Sequence, residues 1–488
     1  MGLGDYRTEM RIPFLALSVF LATPVTVWCQ TTATERAAAG EVLKEIDALQ
    51  TRLAPLQMAQ RLVGARNPDR DAVMNRAALL WDERMEALSD WIGLHPEVGW
   101  KEFKAVDTLT KVLRNAGFTV DTGVAGLATA FVARWVSPVG PGQVLGLIAE
   151  YDALRDTEGA FHGDQHNAQS PIAIAAALAM KSHLEARRLP GTIKVFGTPA
   201  EEVGPPAKKI MADAGVFRGT DLIVRSHSST ATERARAGFG ICCLNINEVK
   251  YIFTGRPSHQ LSSWFGRNAL EAAVHFYTMV DGLRSTLRPD ASIQGVIPEG
   301  GIAPNVVPQR AVVDYYIRYP DAVYLEHMTG MIDNAARAAA LATGTEVRID
   351  RYGEYRDGIT FGTLEELTFG YAKKLGAPNV EAEPQRPSGY EETGTLKGDA
   401  PGVGVSVFSS RGSYHTREML ADTFSEVGHR GFRLQAQIMA ATLYDFATDT
   451  PFRDAVKAEH TAMKQLYDRY QESLKKAYAA ELGQPRTP

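Results

Sequence analysis

The pattern of apolar and polar positions divides the chain into a helical start followed by alternating strands and helices. Residues Thr34 to about Ala87 carry Ala, Leu, Glu and Arg at helical spacing, which predicts amphipathic helices. Val144–Ala149, Thr192–Gly197 and Asp221–Arg225 are short and mostly apolar, as expected for buried parallel strands. Helical segments such as the Ala-rich Pro171–Ala186 lie between them. This alternation predicts an α/β fold with helices on both faces of a mostly parallel sheet.

The middle of the chain has a different order of elements: strand, helix, strand, strand, helix, strand. This is the split βαβ, ferredoxin-like arrangement, and about 110 residues suffice for a separate α+β domain. The α/β pattern resumes afterwards, so we predict that the smaller domain is inserted into the larger one. The elements are predicted at Cys243–Thr254, Asn268–Leu287, Ser292–Ile297, Ala311–Arg318, Tyr324–Ala342 and Glu346–Tyr352, then Thr363–Leu375, Gly404–Phe408 and Gly428–Phe446.

The N-terminus resembles a secretory signal. Arg7 and Arg11 precede a short apolar stretch from Ile12 to Trp28, which predicts export to the periplasm or the medium. The alternative is an uncleaved membrane anchor. The three cysteines, Cys29 and the adjacent Cys242 and Cys243, provide no disulfide framework.

Length and charge narrow the classes of function. A chain of 488 residues is too long for one hydrophobic core, and its net charge is −5 from 52 basic and 57 acidic side chains. There is no long basic run, so nothing in the composition indicates nucleic-acid binding.

Histidines and carboxylates are concentrated in four segments near the ends of predicted strands. In open α/β sheets, sites form outside the carboxyl ends of the strands, so all four are expected at one edge. Imidazole and carboxylate together suit Zn²⁺, Mn²⁺ or Co²⁺. The segments are Phe161–Asn167 with His162, Asp164 and His166; Thr198–Glu202 with Glu201 and Glu202; Arg225–Ser229 with His227; and Arg411–Thr416 with His415.

Each segment taken alone has a simpler interpretation. The first could be a polar loop with surface histidines, and the two glutamates could be solvated residues near the start of a helix, where negative charge is favourable. His227 and His415 could be structural or exposed. The shared position at one sheet edge is what favours a metal site.

The chain resembles the metallopeptidase family that includes glutamate carboxypeptidase, aminoacylases and hippurate hydrolase. The branch it is most similar to is that of p-aminobenzoyl-glutamate hydrolase. The resemblance runs from about Ser89 to Ala447. It rests on the motifs His95–Glu97, Gly117–Phe118, Glu150–Leu154, His162–Asn167, Pro199–Glu202, Ser258–His259, Gly266–Glu271, Ala303–Pro308 and His415–Thr416.

The resemblance implies a zinc-peptidase-like catalytic domain that holds two divalent metal ions, Zn²⁺, Mn²⁺ or Co²⁺. Glu201 would be the general base and later the general acid, and Asp152 would orient a metal ligand. His259 and Asn305 would help to bind substrate. The inserted domain would act as a lid and form a homodimer. The metal ligands implied are Asp164, His166, Glu202, His227 and His415.

With these roles, the predicted divisions are a signal peptide (1–30), a catalytic domain in two parts (31–241 and 354–488) and the inserted domain (242–353). Residues 31–87 form an extra helical region of the first catalytic part. The chain departs from its branch where Asp164 and Gln165 replace the usual cysteine and glycine. It also departs at Val203–Ala207, where relatives often have a glycine run, and at Ser228–Ser229.

The leading functional prediction is hydrolysis of amide bonds in N-acyl or N-aroyl amino acids similar to p-aminobenzoyl-glutamate. The alternatives are a dipeptidase or a detoxifying amidase of the same family, or a binding protein that has lost catalysis. Retention of the whole ligand set together with Glu201 favours an enzyme.

Overall fold

The computed structural model describes residues 33–239, 244–356, 358–381 and 399–482. The predicted signal segment and Cys242 and Cys243 lie outside these residues. Among the residues described, no helix has the length and apolar character needed to cross a membrane. The α-helices are α1 (Ala33–Leu53), α2 (Pro55–Gly64), α3 (Pro68–Leu80), α4 (Glu86–Leu94), α5 (Phe103–Asn115), α6 (His166–Arg187), α7 (Ala207–Asp213), α8 (Ala269–Leu283), α9 (Ala322–Thr343), α10 (Gly362–Lys374), α11 (Arg417–Thr423), α12 (Glu426–Thr448) and α13 (Thr450–Leu482).

Strands are numbered separately, also in chain order. The shortest strands have two or three residues, and the longest have ten. They are β1 (Thr119–Thr122), β2 (Phe131–Val136), β3 (Val144–Ala149), β4 (Leu154–Asp156), β5 (Gly159–Phe161), β6 (Thr192–Gly197), β7 (Leu222–His227), β8 (Gly238–Phe239), β9 (Asn245–Thr254), β10 (Ser292–Glu299), β11 (Arg310–Tyr319), β12 (Glu346–Tyr355), β13 (Ile359–Thr360) and β14 (Gly402–Ser406).

The larger sheet has six strands in the order β1-β2-β6-β3-β7-β14. The last four strands in this order are parallel to one another, as the short apolar runs predicted, whereas β1 and β2 add an antiparallel edge. The sheet is therefore mixed. The outermost strand, β1, has only four residues and is mostly exposed, so it has no apolar run from which a strand could be predicted.

The centre of this sheet is a dry aliphatic layer. Leu147 of β3 lies between Val195 of β6 and Val224 of β7, and all three are fully buried. The Ala-rich helix α6 packs against the sheet, and its small side chains allow a close approach. This packing fixes the parallel strands, so their carboxyl ends form one rigid edge.

Along the chain, the strands of a second sheet come after β7 and before β14 of the first. It has four antiparallel strands in the order β10-β11-β9-β12, with α8 and α9 packed against it. Tyr251, Phe276 and Tyr315 are buried together there. Along the chain the elements follow as strand, helix, strand, strand, helix, strand. The domain boundaries and the role of this unit as a lid stay predictions.

Candidate metal centre

Six side chains that the sequence singled out converge at the carboxyl edge of the parallel strands. Nε2 of His227 lies 3.6 Å from Oδ2 of Asp164, and Nε2 of His415 lies 3.7 Å from the same oxygen. Nε2 of His415 also lies 3.6 Å from Oε2 of Glu202. The structure thus brings together Asp164, His166, Glu201, Glu202, His227 and His415.

These atoms form three overlapping groups in which every candidate ligand atom lies within 4.8 Å of the others in its group. Several carboxylates crowded in a buried site repel one another unless positive charge lies between them. Buried Nε2 of His166 has no hydrogen-bond partner among the residues described. The donor set therefore fits divalent cations. The groups are Asp164, His166 and His227; Asp164, Glu202 and His415; and His166, Glu201 and Glu202.

Asp152 holds two members of the cluster with its two carboxylate oxygens. Oδ1 accepts a hydrogen bond from Nδ1 of His166 at 3.1 Å, and Oδ2 accepts one from the backbone N–H of Glu202 at 2.9 Å. Because a carboxylate only accepts, Nδ1 of His166 donates this hydrogen bond, and Nε2 is the ring nitrogen left to face the cluster. A buried acidic partner of this kind commonly orients a metal-ligating histidine.

Ser228 performs a similar task for the neighbouring histidine. Its carbonyl oxygen accepts a hydrogen bond from Nδ1 of His227 at 3.0 Å, which leaves Nε2 directed towards Asp164. Its hydroxyl donates to Oδ1 of Asp164. In the sequence, Ser228 stands out only as a departure from relatives. The available signal was its position, directly after a candidate ligand at the end of a strand.

Three residues other than glycine adopt left-handed backbone conformations around the cluster. They are Gln165 (φ 56°), which precedes His166, Ala200 (φ 54°), which precedes Glu201, and His415 itself (φ 62°). Such conformations cost about 1–2 kcal/mol each and persist where surrounding structure enforces them. The backbone is therefore bent at three of the segments that supply the site.

The carboxylates differ in their protonation. Burial is the largest influence on Glu201 and raises its pKa to about 7, although the charge of Lys208 opposes this change. Burial also raises the pKa of Glu202 well above its usual range. Burial acts on Asp164 in the same sense, but the charge of His227 and further partners outweigh it and hold its pKa below the usual range. Glu201 can therefore exchange a proton near neutral pH.

Exposure changes across the site. The side chain of His166 is 1 % exposed, whereas that of His415 is 58 % exposed. His166 is also the first residue of α6, which begins five residues before the predicted start at Pro171, so this ligand lies on a helix rather than in a loop. The cluster is therefore buried at His166 and exposed at His415, so a substrate can approach from the side of His415.

Two predicted substrate-binding residues lie in the second sheet's unit, apart from the cluster. His259 and Asn305 are both exposed, and the backbone N–H of Gln260 donates to the carbonyl oxygen of Asn305 at 3.1 Å. Neither residue belongs to the three groups found among the described residues. His162 is also outside them: burial, the largest cause, lowers its pKa to about 3. The part of His259 and Asn305 in substrate binding stays a prediction.

Comparison with known proteins explains why these residues occur together. The model of peptidase family M20/M25/M40 matches residues 146–458, well over half of the chain. The chain belongs to this family. It is accordingly a metal-dependent hydrolase of the metallopeptidase and amidohydrolase class. The match includes all six clustered side chains and the whole of the second sheet.

Individual relatives of this M20 protein are similar over most of its length. It is 30% identical to the Xaa-Arg dipeptidase of Mus musculus over 77% of this chain and 89% of that protein. It is 32% identical to one of the p-aminobenzoyl-glutamate hydrolase subunits of Escherichia coli over 62% and 64%, respectively. A crystal structure of a dinuclear metal-binding M20 peptidase from Bacillus subtilis superposes with a TM-score of 0.53 at 19% identity, covering 74% of this chain and 97% of that one.

Proposed function

We propose that this protein uses two divalent cations to hydrolyse amide bonds in N-acyl or N-aroyl amino acids similar to p-aminobenzoyl-glutamate. The observation that carries the proposal is the convergence of the six side chains. Two of the three groups, one with His166 and His227 and the other with Glu202 and His415, share Asp164. Asp164 belongs to both groups, so it would be the ligand that two bound cations share.

The ligand types agree with the metals predicted from the sequence. Nitrogen from imidazole and oxygen from carboxylate suit Zn²⁺, Mn²⁺ or Co²⁺, and no thiolate belongs to the three groups among the described residues. When bound, such cations supply Lewis-acid chemistry that lowers the pKa of water and polarises an amide carbonyl. The protein contributes the fixed geometry, because Asp152 and Ser228 set the orientation of His166 and His227.

Glu201 is assigned as the residue that moves the proton. Its side chain is 10 % exposed and lies beside the ligand cluster, where a carboxylate can take a proton from water and return it to the leaving amine. Oε2 of Glu201 lies 3.8 Å from Nε2 of His166, at the edge of the ligand cluster. A proton acceptor is therefore already in place beside the site for the nucleophilic water.

The choice of substrate rests on similarity to the p-aminobenzoyl-glutamate hydrolase of Escherichia coli. Dipeptides are a second candidate, because the match to the mouse Xaa-Arg dipeptidase covers more of both chains. The test is hydrolysis by protein stripped with chelator and reloaded with Mn²⁺, Zn²⁺ or Co²⁺, on a panel of p-aminobenzoyl-glutamate, N-acyl amino acids and dipeptides. Turnover that requires reloading supports the proposal. Turnover that survives removal of all metal contradicts it.

A homodimer through the unit of the second sheet completes the proposal. This unit exposes Leu261, Trp264 and Phe265 beside His259, and large exposed apolar side chains that lie together are typical of interaction sites. Light scattering after gel filtration is expected to give twice the mass of one chain. A monomer at micromolar concentration would remove this part of the proposal.

A further inference from the structure

A buried ion pair that no assigned role explains lies directly behind the metal site. Glu150 follows β3, and Lys208 lies in the first turn of α7. Their side chains are 2 % and 1 % exposed, and Nζ of Lys208 contacts Oε1 of Glu150. Neither residue is in the three ligand groups. Burying two opposite charges rarely stabilises a fold more than apolar packing would, so the pair invites another explanation.

The two oxygens of Glu150 have different surroundings. Oε1 pairs with Lys208, whereas Oε2 has no hydrogen-bond partner among the residues described and lies 3.8 Å from Nε2 of His166. That nitrogen also has no hydrogen-bond partner among the residues described, while Nδ1 on the other side of the ring donates to Asp152. A cation bound at Nε2 would also attract the unpaired oxygen of Glu150.

We propose that Glu150 is a further anionic group of the metal site, which draws the cation to Nε2 of His166, and that Lys208 is the positioning residue that directs it there. The inference rests on the proposed function, since it requires a bound cation. Lys208 occupies one oxygen and thereby keeps the other turned towards the site. A fixed negative charge in a buried, low-dielectric position acts strongly on a cation this close.

The opposing explanation is that each residue only neutralises the other. The double variant Glu150→Gln/Lys208→Met separates the two ideas, because it removes both charges together and leaves neither buried alone. The measurement is the affinity of the metal-free protein for Mn²⁺ and Zn²⁺, by competition with a chelating indicator. Thermal unfolding of the metal-free form checks that the variant is folded. Glu459→Gln, which removes a buried carboxylate far along the chain, is the matched control.

We expect the double variant to bind one cation at least about tenfold more weakly, the scale typical of groups that support metal ligands, while the control binds as the wild type does. Wild-type affinity in the folded double variant overturns the inference and leaves the proposed function intact. Failure of the wild type itself to bind any cation would instead refute the proposed function.

Single variants keep the inference testable should the double variant fail to fold. Lys208→Met retains the charge of Glu150, whereas Glu150→Gln removes it and leaves Lys208 to repel the cation. We expect Glu150→Gln to lose clearly more cation affinity than Lys208→Met. Equal losses in the two variants would mean that the pair acts only on the fold.

Discussion

At the scale of single residues, the sequence predicted which side chains meet at the sheet edge, and the family resemblance implied that Asp152 orients a ligand, but the individual hydrogen bonds could not be predicted. Histidine and carboxylate at strand ends identified the cluster, yet nothing in the sequence shows that Asp152 serves His166 and Glu202 at once. Gln165 occupies the position where relatives usually have glycine. It adopts the left-handed conformation that favours glycine, and Ser409 Oγ donates to its side-chain oxygen at 2.8 Å.

Asp152→Asn is expected to weaken cation binding by about tenfold to a hundredfold. The amide is a poorer acceptor for Nδ1 of His166, so the ring loses its fixed tautomer and orientation. The affinity for Mn²⁺ or Zn²⁺, measured by chelator competition, checks this. Asp156→Asn is the control on the same segment. The carboxylate of Asp156 is exposed and forms an ion pair with Arg417. Unchanged affinity in Asp152→Asn would remove its orienting role.

Glu248 gives a prediction about pH and stability. It is 3 % exposed in β9, and Oε2 lies close beneath Gly204, just beyond Glu202, and beneath Gly353. Burial, the largest cause, raises its pKa from 4.5 to about 7. The folded protein therefore keeps a proton that the unfolded chain releases, and the contribution of Glu248 to stability falls as the pH rises from about 4.5 to about 7.

Glu248→Gln cannot ionise and should abolish this loss. We expect the variant to be more stable than the wild type at about pH 8 and nearly equal to it at about pH 4, in chemical unfolding at each pH. Glu346→Gln, exposed on β12, controls for the removal of one negative charge. A variant that is less stable than the wild type at the higher pH would contradict a buried, costly carboxylate.

At the scale of elements, regular hydrophobic patterns gave good predictions and the interruptions gave poor ones. The runs Val144–Ala149 and Thr192–Gly197 are strands with the predicted ends. Helix α6 starts before the predicted position because Pro171 suggested a first helical residue, although the helix continues through it. A sequence pattern cannot weigh the tertiary contacts of His166 and Asn167 that hold the extra turn.

Helix α10 depends on a carboxylate from a distant helix. Glu459 of α13 is fully buried and accepts hydrogen bonds from the backbone N–H groups of Gly362 at 2.8 Å and Thr363 at 3.0 Å. Gln50 of α1 donates to the same carboxylate at 2.6 Å. One side chain thus satisfies the free donors at the start of α10 and joins three helices.

Glu459→Ala is expected to lower the free energy of unfolding by about 1–3 kcal/mol, because buried N–H groups lose their acceptor. Chemical unfolding of the metal-free protein measures this. Glu472→Ala on the same helix is the control, since Glu472 pairs with Lys475 on the surface and both side chains are 61% exposed. A loss no larger than that of the control would show that the helix start is satisfied in another way.

At the scale of the whole molecule, the terminal helices connect the two sheets. Helix α13 packs along α1, where Arg469 pairs with Glu45, and its far end reaches the unit of the second sheet. There the hydroxyl of Tyr478 donates to Oδ2 of Asp321 at 2.8 Å, and Arg288 lies over the Tyr478 ring. Such long-range contacts leave no local pattern, so neither the packing of α13 on α1 nor a role for residues 34–87 could be predicted.

The most direct test of the account is a paired measurement on Glu201→Gln: its metal content, and its turnover of whichever panel substrate the reloaded wild type hydrolyses fastest. We expect two bound cations per chain, as in the wild type, with turnover lower by at least about a hundredfold, because the ligands remain and the proton acceptor is lost. Turnover close to that of the wild type with the metals in place would contradict the assignment of Glu201 and the mechanism built on it.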